Sequence, residues 1–290
     1  MPDSPWLREI RALDPERDCE RIVFINTFHE FPFDTTRALE LAFFKTFAVP
    51  SIAELLASTG EFTERGQKRY DDTDLLISTF TEDGWDGTLG KRALRRMNQL
   101  HGRFTIANED FLYVLSAMVL EPIRWNERFG WRPWCASERL AQFHFWRQVG
   151  RRMAIQDIPE TLPELERLNR ETEFGRFART DAGSRLARAQ QGVFLAWFPW
   201  VPKRIGARAI AALLEPHVVA ALGLERVTGA ERRAVEIGMR ARGRALRMLP
   251  PRRRPKLRTT MKRRTYPSGF EIEELGPPPA GERRPTAHAR

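Results

Sequence analysis

The residues that could do chemistry in this chain are few. Among 290 residues there are five histidines, spread along the chain, and two cysteines, Cys19 and Cys135. Neither a multi-histidine metal site nor a cysteine-rich zinc site is therefore encoded locally. Two segments stand out. Arg69, Thr73, Leu76 and Phe80 recur at steps of four, three and four, which puts them on one helical face, polar at one end and apolar at the other. Further on, Leu94, Met97, His101 and Phe104 repeat the pattern and set His101 in an apolar seam. A guanidinium and a hydroxyl one turn apart can hold an anion or a bound oxygen. An imidazole in a dry pocket can ligate a metal. The plainer readings are as clear. A lone histidine on an apolar face is most often a core residue bonded to a neighbour. Arg69 has Glu64, Asp71 and Asp72 close by as ion-pair partners. Thr73 can return its proton to the carbonyl of Arg69. His144, beside Phe143, Phe145 and Trp146, is the second candidate ligand.

Several common machineries are absent. No P-loop, no G-x-G-x-x-G, no G-x-S-x-G and no H-E-x-x-H occurs, and His29-Glu30 lacks the second histidine of a zinc protease. Most hydrolases, kinases and nicotinamide enzymes are thereby excluded.

The elements that must position these residues read as helices. Alanine and leucine far outnumber valine and isoleucine, a balance that favours helix over strand. The first 30 residues are expected to form an irregular arm with a short apolar segment, Ile22 to Phe28. Helices are expected over residues 36–48, 52–58, 67–82 and 91–104, then from an Asn108 cap to about Glu121, where Pro122 marks a kink or stop. More follow over residues 137–153, 163–177, 182–197 and 204–214. A capping box of Thr228 and Glu231 opens the last long helix, to about Met248. The expected fold is all-α: an arm (1–30), one multi-helix domain (31–248) and a basic, proline-rich extension (249–290). Its last residues, Gly276 to Arg290, read as disordered.

Phe31 to about Thr161 resembles the mpaB/rubber oxygenase (latex clearing protein) catalytic domain family. The resemblance is carried by FPFDTTRALELAFFKTFAVPSIAELLASTGEF, KRYDDTDLLI, RRMNQLHGRFTIANEDFLYVL and EPIRWNERFGWR. It extends through GRRMAIQDIPETLPEL to RTYPSGFEIEELG. It implies an all-α fold that binds haem b in a pocket between helices, with an axial histidine about thirty residues after an arginine–threonine pair spaced by four. Arg69 and Thr73 match that pair, and His101 matches the axial ligand. Asn98 and Asn108, near in sequence, could hold its second ring nitrogen. Arg69 and Thr73 would then hydrogen-bond a haem propionate, bound oxygen or a substrate carboxylate, with Asp72 orienting Arg69. Rubber-cleaving members can carry a lysine beside the threonine as a ligand on the other haem face. Here that place is Asp72, so that face is open, water-filled or served from elsewhere. The implied activity is oxidation or cleavage of a C=C bond by O2 in an olefinic, isoprenoid or lipid-like substrate.

The charge is local. Net charge is +10, yet Ile237 to Phe270 holds twelve Lys or Arg and no acid, leaving 36 basic and 38 acidic residues elsewhere. This segment raises a nucleic-acid-binding alternative, but no recognition motif accompanies it, and no specific nucleic acid is expected. A non-catalytic haem or apolar-ligand carrier is the other alternative. Met1 to Glu20 is polar, without the apolar run of a leader, so the expected location is cytoplasmic. A peripheral membrane contact is expected through GVFLAWFPWVPKR, Gly192 to Arg204, or through the basic segment.

Overall fold

The structure, a computed structural model, describes residues 4–277. Fourteen α-helices occur among them, and no strand: α1 (Pro5–Ala12), α2 (Cys19–Phe24), α3 (Pro32–Thr46), α4 (Pro50–Ser58), α5 (Glu61–Glu64), α6 (Gly66–Asp83), α7 (Thr88–His101), α8 (Asn108–Phe129), α9 (Ala136–Arg152), α10 (Leu162–Arg176), α11 (Asp181–Leu195), α12 (Lys203–Leu213), α13 (Pro216–Ala221) and α14 (Gly229–Leu246). The all-α class read from composition is the one observed. No single helix among the described residues is long and apolar enough to cross a membrane.

Helix α8 forms the axis. It is apolar on nearly every side, with Leu112, Tyr113, Met118, Leu120, Ile123 and Phe129 all buried, as suits a helix enclosed by others. It continues through Pro122, where a kink or stop was expected, so the proline does not end it. Proline removes the N–H that would meet the carbonyl four residues back. That carbonyl, on Met118, instead accepts from Nε2 of Gln142 on α9 at 3.0 Å. The helix begins with Ala107, not Asn108, at its cap. Asn108 instead exchanges both hydrogen bonds with the backbone of Gln156. The capping box at α14 forms as read: Glu231 accepts from Thr228 N at 2.8 Å, and Thr228 Oγ1 accepts from Glu231 N at 3.2 Å.

Helix α3 packs along α8 and inserts Lys45, which is fully buried. Its Nζ lies 2.8 Å from Glu121, 3.2 Å from Glu215 and 3.3 Å from Glu173, a buried charge met by carboxylates from three other segments.

The ends of the chain depart from expectation. Residues 5–30 are largely helical rather than irregular: α1 is followed by a turn, α2 runs directly into a π-helical turn, Ile25–Glu30, and Ile10, Ile22, Ile25 and Phe28 are completely buried. The basic extension is a strap. Lys256 N donates to Phe28 O at 2.9 Å. Arg258 clasps Asp74 through Nε at 2.8 Å and Nη2 at 2.9 Å, and Arg263 pairs with the same carboxylate. The strap then crosses α7, where Arg96 Nε donates to Leu275 O at 2.8 Å and buries Ile272 and Leu275 in the core. Most of the tail expected to be disordered, from residue 278 on, lies outside the described residues.

Candidate functional site

Helices α6 and α7 form a hairpin joined by the four residues Gly84 to Gly87. Two glycines make the turn. Gly84 has φ of 79°, a conformation that side chains disfavour. At Gly90 an added Cβ would stand 1.7 Å from the Gly84 carbonyl oxygen, so only a glycine lets α7 start against the end of α6.

The hairpin turns the predicted faces toward each other. Arg69, Thr73 and Leu76 on α6, and Met97, Leu100 and His101 on α7, line one cavity of about 230 Å3. Phe111, Leu115 and Met118 of α8 with Trp146 and Val149 of α9 complete its apolar wall. His101 is the last residue of α7, not an interior one; Phe104, expected on the same helix, reaches the cavity from the loop beyond it.

The His101 imidazole makes no hydrogen bond with any described residue, and its buried Nδ1 is left without a partner. Its ring meets Phe111 edge-on, centroids 5.5 Å apart. Burial first, and then the charge of Arg69, push its pKa down to about 4. The imidazole is therefore neutral at neutral pH, the form that ligates metal. The hydrogen bonds expected from Asn98 and Asn108 are spent elsewhere: Asn98 Nδ2 donates to Arg152 O at 2.9 Å, and Asn108 is held by Gln156.

Arg69 is the other unsatisfied group. Its guanidinium forms no hydrogen bond or ion pair with any described residue and stands 5.1 Å above the Phe62 ring. Burial pulls its pKa down, opposed in part by the charges of Asp72 and Glu61. Thr73 Oγ1 donates to Arg69 O at 3.0 Å, so the oxygen offers the cavity a lone pair rather than a proton. Asp72 lines the same cavity but does not orient Arg69 directly. Its carboxylate is bonded to Lys68 Nζ at 2.8 and 3.0 Å and to the Tyr266 hydroxyl at 2.5 Å, tying the strap to α6. His144 is not brought to the cavity; it lies 3.7 Å from Glu16 and beside Phe143.

A smaller chamber of about 60 Å3 adjoins the first, sharing Phe43, Arg69, Thr73, Ile77 and Trp146 with it. Its far end is polar. Glu40 Oε1 accepts from Tyr70 Oη at 2.7 Å and from Arg37 at 2.6 Å, and burial pushes the Glu40 carboxyl up to about 7. The sequence reading missed Glu40, Tyr70 and Arg258. Glu40 and Tyr70 sit on helices thirty positions apart, and no local spacing marks them.

The donor set limits what could be held. No group of three or more His, Cys, Asp or Glu able to hold a bare ion occurs among the described residues. One neutral imidazole in an apolar wall does suit a metal that brings its own macrocycle, for which the protein need supply only a single nitrogen. Arg69, unpaired nearby, suits a carboxylate of such a group or of an apolar substrate.

Comparisons with known proteins agree with this architecture. Residues 38–248 match the family described as ER-bound oxygenase mpaB/B′/Rubber oxygenase, catalytic domain. The chain is 33% identical over 132 residues to the ER-bound oxygenase mpaB of Penicillium roqueforti (strain FM164), covering 43% of this chain and 44% of that protein. It is 33% identical over 140 residues to the ER-bound oxygenase mpaB of Penicillium brevicompactum, covering 46% and 35% respectively. The matched part thus spans less than half the length of these relatives. Among solved structures, latex clearing protein in its closed state superposes with a TM-score of 0.56 at 14% identity, over 82% of this chain and 71% of that one, a likeness of fold. With the family match extending from α3 to the end of α14, this chain belongs to the mpaB/rubber oxygenase catalytic-domain family.

Proposed function

We propose that the protein is a haem b-dependent oxygenase that oxidises or cleaves a C=C bond of an apolar, isoprenoid or lipid-like substrate with O2. The observation that carries this reading is the meeting of a neutral, unpartnered His101 with an unpaired Arg69 in one apolar cavity. In a chain of this family, that pairing has no structural use as clear as its functional one. Haem b, when bound, supplies the iron that takes up O2. His101 would hold that iron through a ring nitrogen. Arg69 fixes a carboxylate, whether a haem propionate or an acidic end of the substrate. Thr73 accepts a hydrogen bond from whatever stands between the two chambers. The apolar wall from Leu76 to Trp146 holds a hydrocarbon chain and excludes water. Glu40, whose carboxyl titrates near neutrality, holds or releases a proton at the far end. Asp72 serves indirectly, by fastening Tyr266 and Lys68, the latter also donating to the carbonyl of Gly276 in the cavity wall.

The visible absorption spectrum of protein from haem-replete cells tests the reading. A Soret band is expected, and His101→Ala is expected to lose it while the helical circular dichroism persists. A colourless wild-type protein overturns the haem assignment. Full haem in His101→Ala with loss in His144→Ala would move the ligand to His144. O2 uptake with a polyprenyl substrate separates an oxygenase from a carrier that binds the same ligands without turnover.

A further inference from the structure

Two features far apart in the sequence form one surface. After α11 the chain turns outward, exposing Phe198 (43%), Trp200 (74%) and Ile205 (62%), with Lys203 and Arg204 between them also exposed. The strap reaches this ridge: Arg264 Nη1 donates to the carbonyl of Ala196 at 3.2 Å. Between ridge and strap runs a groove whose lining includes Phe33, Trp197, Met261, Lys256, Lys262 and Arg264. Phe33 and Met261 are exposed as well. The charges of this face are uneven. Asp71 is the one acidic residue lining the groove, and its carboxylate is buried and accepts from Thr265 N. Lys203, Lys256, Lys262 and Arg264 have no carboxylate partner among the described residues, whereas Arg258 and Arg263 are consumed by Asp74.

We infer that this face, the Phe198–Ile205 ridge with the strap cations beside it, docks the protein on an anionic lipid surface without crossing it. The apolar side chains choose a bilayer over a nucleic acid. Trp200 and Ile205 project where phosphates would give them nothing, whereas in an interface an indole sits at headgroup depth and an aliphatic side chain reaches the acyl boundary. The cations add an attraction that falls away within a Debye length. The groove also shares Thr36, Tyr70 and Arg258 with the smaller chamber, so the docked face lies beside the candidate site. The inference does not depend on what fills the His101 cavity.

The full chain, incubated with vesicles of phosphatidylcholine plus phosphatidylglycerol and with vesicles of phosphatidylcholine alone, tests it by co-sedimentation. Binding is expected to the anionic vesicles at low salt and to weaken steeply with added salt. Removing one cation, as in Lys203→Ser or Lys262→Ser, should weaken it about fivefold. Brominated acyl chains should quench tryptophan fluorescence in the wild type and much less in Trp200→Ser. Both Trp200→Ser and Ile205→Ser should bind more weakly, while Phe174→Ser, which removes an exposed ring of α10 packed on His217, should bind as wild type. Each substituted side chain is exposed, so unchanged circular dichroism is expected throughout. Absence of sedimentation at low salt, or unchanged binding and quenching in Trp200→Ser, overturns the proposal. So does a short DNA duplex that strips the protein from vesicles and binds Trp200→Ser as tightly as wild type, which would assign the cations to nucleic acid.

Discussion

Arg69→Met distinguishes a guanidinium kept for a ligand from one kept for the fold. In the ligand-free protein Arg69 gives the fold little: a cation–π contact at 5.1 Å from the Phe62 ring, worth about 1–2 kcal/mol in a partly desolvated setting, and attraction to Asp72 and Glu61 without a hydrogen bond. Against these stands the cost of holding a half-buried charge out of bulk water with no partner, which approaches several kcal/mol as an ion becomes fully buried. Methionine keeps a long, unbranched stem that can fill the same wall. The ligand-free variant should therefore be more stable than wild type by about 1–3 kcal/mol. At roughly 2–4 °C per kcal/mol for a chain of about this size, its thermal midpoint should rise by several degrees. Ligand retention should move the other way: haem titrated into ligand-free protein and followed at the Soret band should bind at least ~10-fold more weakly, the loss of one charge-assisted hydrogen bond. Thermal melts and urea unfolding give the first quantity and the titration the second. A variant that loses about 2 kcal/mol or more of stability while binding haem as wild type would refute the reasoning and make Arg69 a packing residue.

Other outcomes follow from the buried charges. The Glu40 carboxyl is raised to about 7 by burial, so the folded state holds its proton more tightly than the unfolded chain. Its contribution is fully present below about pH 4.5 and is lost as pH climbs through 7. Relative to Glu40→Gln, wild-type stability should fall across that window by up to about 3 kcal/mol, as read by urea unfolding at pH 5 and pH 8. A difference that stays flat with pH would show that the carboxyl is not so raised. Lys45→Met takes the fully buried cation from Glu121, Glu173 and Glu215, leaving Arg124 to serve the first two, and should destabilise by about 3–5 kcal/mol. Loss of under about 1 kcal/mol, within the range of ordinary surface changes, would mean that water or protonation compensates the carboxylates.

Much of the architecture was readable in the sequence because helices announce themselves locally. The steps of three and four that place Arg69, Thr73 and Leu76 on one face, and Leu94, Met97 and His101 on another, are properties of a single helix. The Thr228–Glu231 capping box is likewise complete within four residues. What the sequence could not fix were interactions whose partners are distant. Pro122 reads as a kink or a stop, yet the helix continues, and Gln142, twenty residues on, meets the carbonyl that proline frees. Asp72 reads as a neighbour for Arg69, and is taken instead by Lys68 and by Tyr266, 194 positions away. Asn98 and Asn108 lie near His101 in sequence but face the backbone of other segments. The twelve cations of the late segment could be counted at once, but only the fold set two of them on Asp74 and others beside Trp197. Periodicity assigns a residue to a face, since backbone geometry alone sets it. Which faces meet, and which charges remain without a partner, depends on packing between segments and is decided only when the chain closes on itself.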